Sequence, residues 1–89
     1  MYNLLFEEQA TEDLIFWNER KNKSIANKLK RLFEELVKHP TSGTGKPEKL
    51  KNNLSGCWSR RITIEHRLTY IIREEIKTIM VLKCKGHYV

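Results

Sequence analysis

The sequence predicts an α+β domain in which two N-terminal helices pack on one face of a mostly antiparallel sheet. Apolar residues in the first half recur with the 3.6-residue period of a helix. A loop rich in Gly, Ser, Thr and Pro follows over residues 40–47, and beyond it apolar and polar residues alternate with the two-residue period of a strand. Short turns between such strands favour antiparallel hairpins, with the preceding helices on one side. At 89 residues, the whole chain, 1–89, is expected to form a single domain.

The N-terminal half is predicted to contain one strand and two helices. Residues 2–6 form a short apolar run that is expected to be a first strand. Two glutamates then open a helix that extends to about Arg20, because the helix dipole favours acidic residues in the first turn. The second helix is expected to begin at Ser24 or a few residues earlier and to end before Pro40. Its predicted apolar face consists of Ile25, Leu29, Leu32, Phe33, Leu36 and Val37.

The C-terminal half is predicted to form a three-stranded antiparallel meander. The strands are expected over residues 58–64, 67–73 and 76–85, with reversals at 65–66 and 74–75. Because the helices should cover one face, the other face is predicted to be exposed and cationic. The basic residues on or beside these strands are Arg60, Arg61, Arg67, Arg73, Lys83 and Lys85.

The positive charge is distributed unevenly along the chain. The net charge is +6, yet residues 1–44 hold seven basic and seven acidic side chains, whereas residues 45–89 hold ten basic side chains against four glutamates. A one-sided excess of this kind favours a polyanionic partner, such as nucleic acid or an acidic protein. It is equally compatible with a solvated basic surface that keeps the protein soluble. Aromatic residues among the basic ones, Trp58, Tyr70 and Tyr88, would suit RNA bases that can be stacked, although Trp58 and Tyr70 are expected in the core.

The composition also argues against several classes of protein. Cys57 and Cys84 are too few for a disulfide framework, and their spacing fits no zinc motif. No apolar run approaches the roughly 20 residues that span a bilayer, and the first ten residues lack the basic start of a signal peptide. We therefore expect a cytoplasmic protein with reduced thiols, no metal site and no membrane partner.

Single residues carry little functional information by themselves. His87 could exchange a proton near neutral pH, but a histidine near a chain end is more often an exposed bystander, and His39 and His66 have the same status. Glu48 would stay ionised because it is surrounded in sequence by lysines: Lys46, Lys49 and Lys51. A surface ion pair is the plainer interpretation of Glu48.

Longer sequence blocks are more specific. They are GKPE at residues 45–48, LKNNLSGCWSRRI at 50–62, EHRLTY at 65–70 and a final HY at 87–88. In this order they resemble the YoeB family of bacterial toxins, which belongs to the RelE superfamily of toxin–antitoxin systems. The resemblance extends over nearly the whole chain and implies a RelE-like, microbial-RNase-like α+β fold.

The resemblance implies a ribosome-dependent mRNA endoribonuclease, an mRNA interferase that cleaves mRNA in the ribosomal A site and inhibits translation. It gives Glu48 the role of general base and His87 that of general acid. Arg67 would stabilise charge in the transition state, and Tyr88 would help to position the substrate or take part in the chemistry. The residues expected to bind RNA or its phosphates are Lys46, Lys49, Lys51 and Arg61. No cofactor or metal is implied, because the ribose 2′-OH of RNA supplies the nucleophile.

The resemblance also implies partners. These are a cognate YefM-like antitoxin, the ribosome with its mRNA, a second copy in a homodimer, and operator DNA only through the antitoxin complex. Two other functions remain open: a non-catalytic basic module that binds RNA or the ribosome, and a ribonuclease of the same superfamily that needs no ribosome. The chain departs from the family pattern at Val89, which follows the HY pair and moves the terminal carboxylate away from Tyr88.

Overall fold

The computed structural model describes residues 1–87 and confirms the α+β fold, with two helices on a five-stranded sheet. Tyr88 and Val89 lie outside the described residues. In chain order the elements are β1 (Asn3–Phe6), α1 (Glu8–Glu19), α2 (Lys23–Leu36), β2 (Glu48–Lys49), β3 (Cys57–Arg61), β4 (Arg67–Arg73) and β5 (Thr78–Lys83).

The strands lie in the order β1-β5-β4-β3-β2. The predicted meander is confirmed, since β4 pairs antiparallel with both β3 and β5. Strand β1 joins the sheet as a parallel neighbour of β5, which requires the crossover that α1 and α2 provide. Strand β2, which was not predicted, pairs antiparallel with β3 and extends the sheet by one short strand.

The predicted apolar face of α2 packs against the sheet. Its buried residues are Ile25, Leu29, Leu32 and Leu36. They belong to one cluster with residues of β4 and β5, including Leu68, Tyr70, Ile79 and Val81. The helix ends at Leu36, which is earlier than Pro40 alone required. It begins after Asn22, whose side chain caps it by accepting a hydrogen bond from the Ile25 amide at 3.0 Å.

Three boundaries of the meander strands were predicted too far out: the end of β3 and both ends of β5, which stops at Lys83 and not at residue 85. Strand β3 stops at Arg61 because the amides of Ile62 and Thr63 both bond to the carbonyl oxygen of His66, at 2.9 and 3.2 Å. These bonds close a turn over residues 62–66. The alternation of apolar and polar residues therefore continues in the sequence beyond the point at which the pairing of β3 with β4 ends. Strand β5 starts at Thr78 rather than residue 76 because a 3-10 turn and a left-handed Lys77 (φ 47°) precede it.

The prediction that Arg60 lies on the exposed cationic face was wrong. We expected it among the exposed basic residues, but its side chain is fully buried on the helix side of the sheet. Its Nε donates to the Tyr70 hydroxyl at 3.3 Å, and its Nη1 donates to Glu35 Oε1 at 3.2 Å. Arg60 therefore belongs to the interior and contributes nothing to an exposed RNA-binding surface.

The loop that precedes β2 is held by the same guanidinium. Arg60 donates to three of its carbonyl oxygens, those of His39, Ser42 and Thr44. Glu35 accepts hydrogen bonds from both the amide and the hydroxyl of Thr44, at 2.7 and 2.6 Å. A loop rich in glycine thus has a defined path into β2.

Candidate active site

Glu48 and Arg67 line one cleft on the face of the sheet that the helices leave uncovered. The cleft has a volume of about 210 Å³ and lies over β2, β3 and β4. Its lining residues are Lys46, Glu48, Ser59, Arg61 and Arg67. Four of the eight residues proposed from the sequence therefore meet here, together with Ser59, which was not predicted.

The strand register explains this convergence. Glu48 lies opposite Ser59, and Arg61 lies opposite Arg67. Paired residues project from the same face of a sheet, as do residues two apart along a strand, so Ser59 and Arg61 point the same way. Ser59 is small and only 2% exposed, and it forms the floor between the longer side chains.

Gly45 attaches the loop to this end of β3. Its carbonyl oxygen accepts a hydrogen bond from the Arg61 amide at 2.7 Å. Gly45 has φ +87°, and a Cβ at this position would lie 2.9 Å from the Arg61 carbonyl oxygen. Only glycine fits this close approach without a shift of the backbone. The contact places Lys46 and Glu48 directly beside Arg61.

The cleft carries a carboxylate among cations. Lys46, Glu48 and Arg61 are exposed and Arg67 is half-buried. None of the ion pairs found within residues 1–87 involves Glu48. Its carboxylate is therefore free to accept a proton from a bound molecule, and the three cationic groups can bind a phosphate between them.

Arg67 is held in place by the turn that follows β3. Its Nη1 donates to the carbonyl oxygens of Thr63 and Ile64, both at 3.1 Å. A guanidinium has five N–H donors in a rigid plane, so one edge can be fixed by the protein while the remaining donors face a ligand. This arrangement orients Arg67 before any substrate arrives.

His87 lies near Arg67 but does not line the cleft. The Arg67 amide donates to the Gly86 carbonyl oxygen at 2.9 Å, which brings the C-terminal segment alongside the start of β4. His87 is exposed, and its carbonyl oxygen accepts a hydrogen bond from Lys83 Nζ at 3.2 Å. Tyr88, the fourth residue proposed for catalysis, lies outside the described residues.

Lys49 and Lys51 are not brought into the cleft. They line a neighbouring groove of about 360 Å³ over residues 48–54, and Glu48 borders both spaces. Lys49 lies opposite Trp58 in the register, so it projects from the other face than Glu48.

His66 is more than the exposed bystander that sequence reasoning suggested. It is half-buried, its Nδ1 accepts a hydrogen bond from the Gly86 amide at 2.9 Å, and its ring meets Trp17 edge-on with centroids 4.8 Å apart. The available signal was its place in the EHRL block directly before Arg67.

Two further features of the described part of the chain bear on function. Residues 1–87 contain no cluster of three or more His, Cys, Asp or Glu side chains arranged to hold a metal ion. Neither helix within those residues is long and apolar enough to cross a membrane.

Comparison with known proteins agrees with this fold. A sequence model of YoeB-like toxins of bacterial type II toxin–antitoxin systems matches residues 6–88. The toxin YoeB of Escherichia coli (strain K12) is 41% identical over 85 residues, which is 96% of this chain and 98% of that protein. A chain of a solved YoeB-YefM complex from Staphylococcus aureus is 39% identical over 99% of both chains, with a TM-score of 0.83. A chain of the YoeB dimer from Staphylococcus aureus is 39% identical over 98% of both chains, also with a TM-score of 0.83.

The agreement of sequence, fold and coverage defines the class of protein, a toxin of a bacterial type II toxin–antitoxin system. Within that class, the chain belongs to the YoeB-like toxin family.

Proposed function

We propose that this protein is a ribosome-dependent mRNA endoribonuclease that cleaves mRNA in the ribosomal A site and thereby inhibits translation. The observation that carries the proposal is the cleft in which the carboxylate of Glu48 lies among Lys46, Arg61 and Arg67. Within residues 1–87 this carboxylate forms no ion pair. A base beside several phosphate-binding cations is the arrangement that metal-free RNA cleavage needs. Membership of the YoeB-like toxin family supports the same activity.

In the proposed reaction the ribose 2′-OH attacks the adjacent phosphorus. Glu48 takes the proton from the 2′ oxygen as the new P–O bond forms. His87, in its protonated state, donates a proton to the 5′ oxygen as the old P–O bond breaks. The products are a 2′,3′-cyclic phosphate and a 5′-hydroxyl end. Each proton transfer of this kind contributes about 10²- to 10⁴-fold in rate.

The cationic residues divide into two groups. Arg67, with Arg61 and Lys46, would stabilise the additional negative charge on the phosphorus oxygens in the transition state. Lys49 and Lys51 would bind phosphates outside the cleft, along the neighbouring groove. We further propose that Tyr88 positions the substrate beside His87.

The small number of groups in the cleft supports dependence on the ribosome. Within residues 1–87 the cleft offers charge and a base, but its lining residues form no apolar pocket that could hold a nucleotide base. Accurate orientation of the reacting groups accounts for a large part of many catalytic rates. We propose that the ribosome holds the codon in the geometry that the toxin alone cannot impose.

The proposed partners are a YefM-like antitoxin and a second copy of the toxin. The YoeB-YefM complex and the YoeB dimer of Staphylococcus aureus support both partners. The basic second half of the chain would attract an acidic antitoxin segment, and the toxin would reach operator DNA only within that complex. The site of action is the bacterial cytoplasm, where ribosomes translate.

The test is primer extension on a short mRNA in translating ribosomes, with a ribosome-free control. We expect a cut within the A-site codon that Glu48→Gln and His87→Ala each slow by at least about 100-fold. Glu12→Gln and His39→Ala remove the same chemical groups at exposed positions outside the cleft, and should leave the cut unchanged.

Three results would overturn parts of this proposal. Stalled ribosomes with no new RNA ends would favour the non-catalytic binding module. Cleavage of naked RNA at the same rate would favour the ribosome-independent ribonuclease. Full activity of Glu48→Gln would remove Glu48 from the role of base.

A further inference from the structure

The segment at residues 84–87, which carries His87, is attached to the domain by buried side chains. Asp13 Oδ2 accepts a hydrogen bond from the Cys84 amide at 2.8 Å, and Trp17 Nε1 donates to the Cys84 carbonyl oxygen at 2.9 Å. Asp13 is 2% exposed and Trp17 is 7% exposed. Two side chains of α1 therefore fix the peptide groups on both sides of Cys84, directly after β5.

The next attachment point is Gly86. Its amide donates to His66 Nδ1 and its carbonyl oxygen accepts from the Arg67 amide, both at 2.9 Å. Gly86 has φ +76°, so the chain turns here through a conformation that other residues rarely adopt. His66 and Arg67, which are adjacent in the EHRLTY block, thus hold both the amide and the carbonyl group of Gly86, the last residue before His87.

The His66 ring is itself held in a defined orientation. Its edge-on contact with Trp17 links it to the side chain that bonds to Cys84. Because Nδ1 accepts a hydrogen bond, that nitrogen carries no proton, and the neutral ring has its proton on Nε2. His66 thus acts here as a hydrogen-bond acceptor.

We propose that His66 is a positioning residue, whose Nδ1 fixes the Gly86 amide so that His87 is presented at the Arg67 end of the cleft. This inference rests on the proposed function of His87 as the general acid. The proposed reaction gives His66 no part, since it lines neither the cleft nor the groove beside it. Loss of this acceptor would leave the Gly86 amide without its hydrogen bond. The backbone leading into His87 would then no longer be held in one orientation.

Three substitutions of His66 separate the effect of its hydrogen-bond acceptor from the effect of its ring. His66→Phe keeps a flat ring against Trp17 but has no acceptor. His66→Asn loses the ring but places an oxygen close to the position of Nδ1. His66→Gln places its oxygen nearer the position of Nε2, so it should behave like His66→Phe if the hydrogen bond to Gly86 is what matters.

The first measurement is amide hydrogen exchange of Gly86 by NMR in the full-length protein, which is independent of activity. We expect exchange to be faster in His66→Phe and His66→Gln, and close to wild type in His66→Asn. Amides in the centre of β4 serve as the control for global stability, and their exchange should change much less.

The second measurement is single-turnover cleavage on ribosomes, with each His66 variant made alone and together with His87→Ala. We expect His66→Phe to slow cleavage by about 10- to 100-fold, the cost of a displaced catalytic group. In the His87→Ala background it should have no further effect, whereas a general loss of folded protein would lower both rates equally. His66→Asn should recover most of the rate.

The outcomes distinguish this inference from the proposed function. If the wild-type protein does not cleave mRNA, the proposed function and the positioning role fail together. If the wild type cleaves and His66→Phe cleaves equally fast, only the role of His66 is wrong. The same holds if His66→Phe slows cleavage by the same factor in the His87→Ala background as in the wild type. Unchanged Gly86 exchange in His66→Phe would also overturn it.

Discussion

At the scale of single residues, Arg60 and Arg61 show how neighbours in a strand serve opposite purposes. Arg60 is fully buried among carbonyl oxygens, Glu35 and the Tyr70 hydroxyl, while Arg61 is exposed in the cleft. In sequence they are two identical cations. The face on which each one lies decides whether it stabilises the fold or is available to RNA.

This pair gives a direct test of the division between stability and function. Arg60→Ala removes the donor to the three loop carbonyls and one of the donors to the Glu35 carboxylate, which keeps those from Thr44 and Arg31. We expect it to lower the free energy of unfolding by about 3–5 kcal/mol. Arg61→Ala should change it by no more than about 0.5 kcal/mol while slowing cleavage. Urea unfolding of both variants checks the first expectation, and equal destabilisation by the two would contradict it.

Glu35 makes part of this stability dependent on pH. Hydrogen bonds from Thr44, aided by Arg31 and Arg60, lower the pKa of Glu35 to about 2 from an ordinary value of 4.5. Because the pKa is lowered in the folded state, the stabilisation is fully present above pH 4.5 and is lost as the pH falls towards 2. Its upper limit is about 3 kcal/mol.

We therefore expect the wild type to lose more stability than Glu35→Gln between pH 5 and pH 2. Glu34→Gln, the exposed neighbour on the same helix, is the matched control and should follow the wild type. Urea unfolding across this range measures the difference. Parallel curves for the wild type and Glu35→Gln would show that Glu35 is not the group responsible.

At the scale of secondary-structure elements, the loop before β2 determines where the proposed base lies. Strand β2 has only two residues, Glu48 and Lys49, and it follows the loop that Arg60 and Gly45 hold. Such a short strand has little pairing energy of its own. The position of Glu48 therefore depends on contacts made by residues before it in the chain.

Substitution of Gly45 tests this dependence. Gly45→Ala combines a positive φ with a Cβ only 2.9 Å from the Arg61 carbonyl oxygen, so the loop must shift. Gly56 also has a positive φ, +96°, but its Cβ would meet nothing within 4 Å, so Gly56→Ala adds only the strain, about 1–2 kcal/mol.

Compared at equal folded fraction, Gly45→Ala should cleave mRNA more slowly than Gly56→Ala. The reason is that it displaces Lys46 and Glu48 as well as straining the backbone. Single-turnover rates on ribosomes give the comparison. A cleavage rate for Gly45→Ala equal to that of Gly56→Ala would mean that the loop does not set the position of Glu48.

The elements also show what the sequence could and could not predict. The helix periodicity and the meander were predictable because local patterns encode which face of an element is buried. Strand β2 was not, because it exists only through its pairing with β3 and the buried Arg60 beneath the loop. The side chain of Arg60 contacts Glu35 and Tyr70, and that of His66 contacts Gly86. These partners are 10 to 25 residues away in sequence, and neither composition nor spacing indicates them.

At the scale of the whole molecule, the net charge of +6 lies entirely in the half of the chain that forms the cleft and its groove. A field of this kind raises the rate of association with a polyanion, and salt weakens it. The ribosome is such a polyanion, so the proposed function predicts association that slows steeply as the ionic strength rises. The position of the charge should matter as well as its amount.

Two double charge-reversal variants separate the effect of where the positive charge lies from the effect of the net charge. Lys49→Glu with Lys51→Glu alters the groove beside the cleft, whereas Lys23→Glu with Lys30→Glu makes the same change in net charge at exposed positions of α2. We expect the first pair to reduce the rate of association with ribosomes at low salt by at least about 10-fold and to flatten its salt dependence, because phosphate contacts carry that dependence. The α2 pair should have a much smaller effect. Stopped-flow association at several salt concentrations makes the comparison, and equal losses in both pairs would mean that net charge, and not the basic surface beside the cleft, controls the encounter.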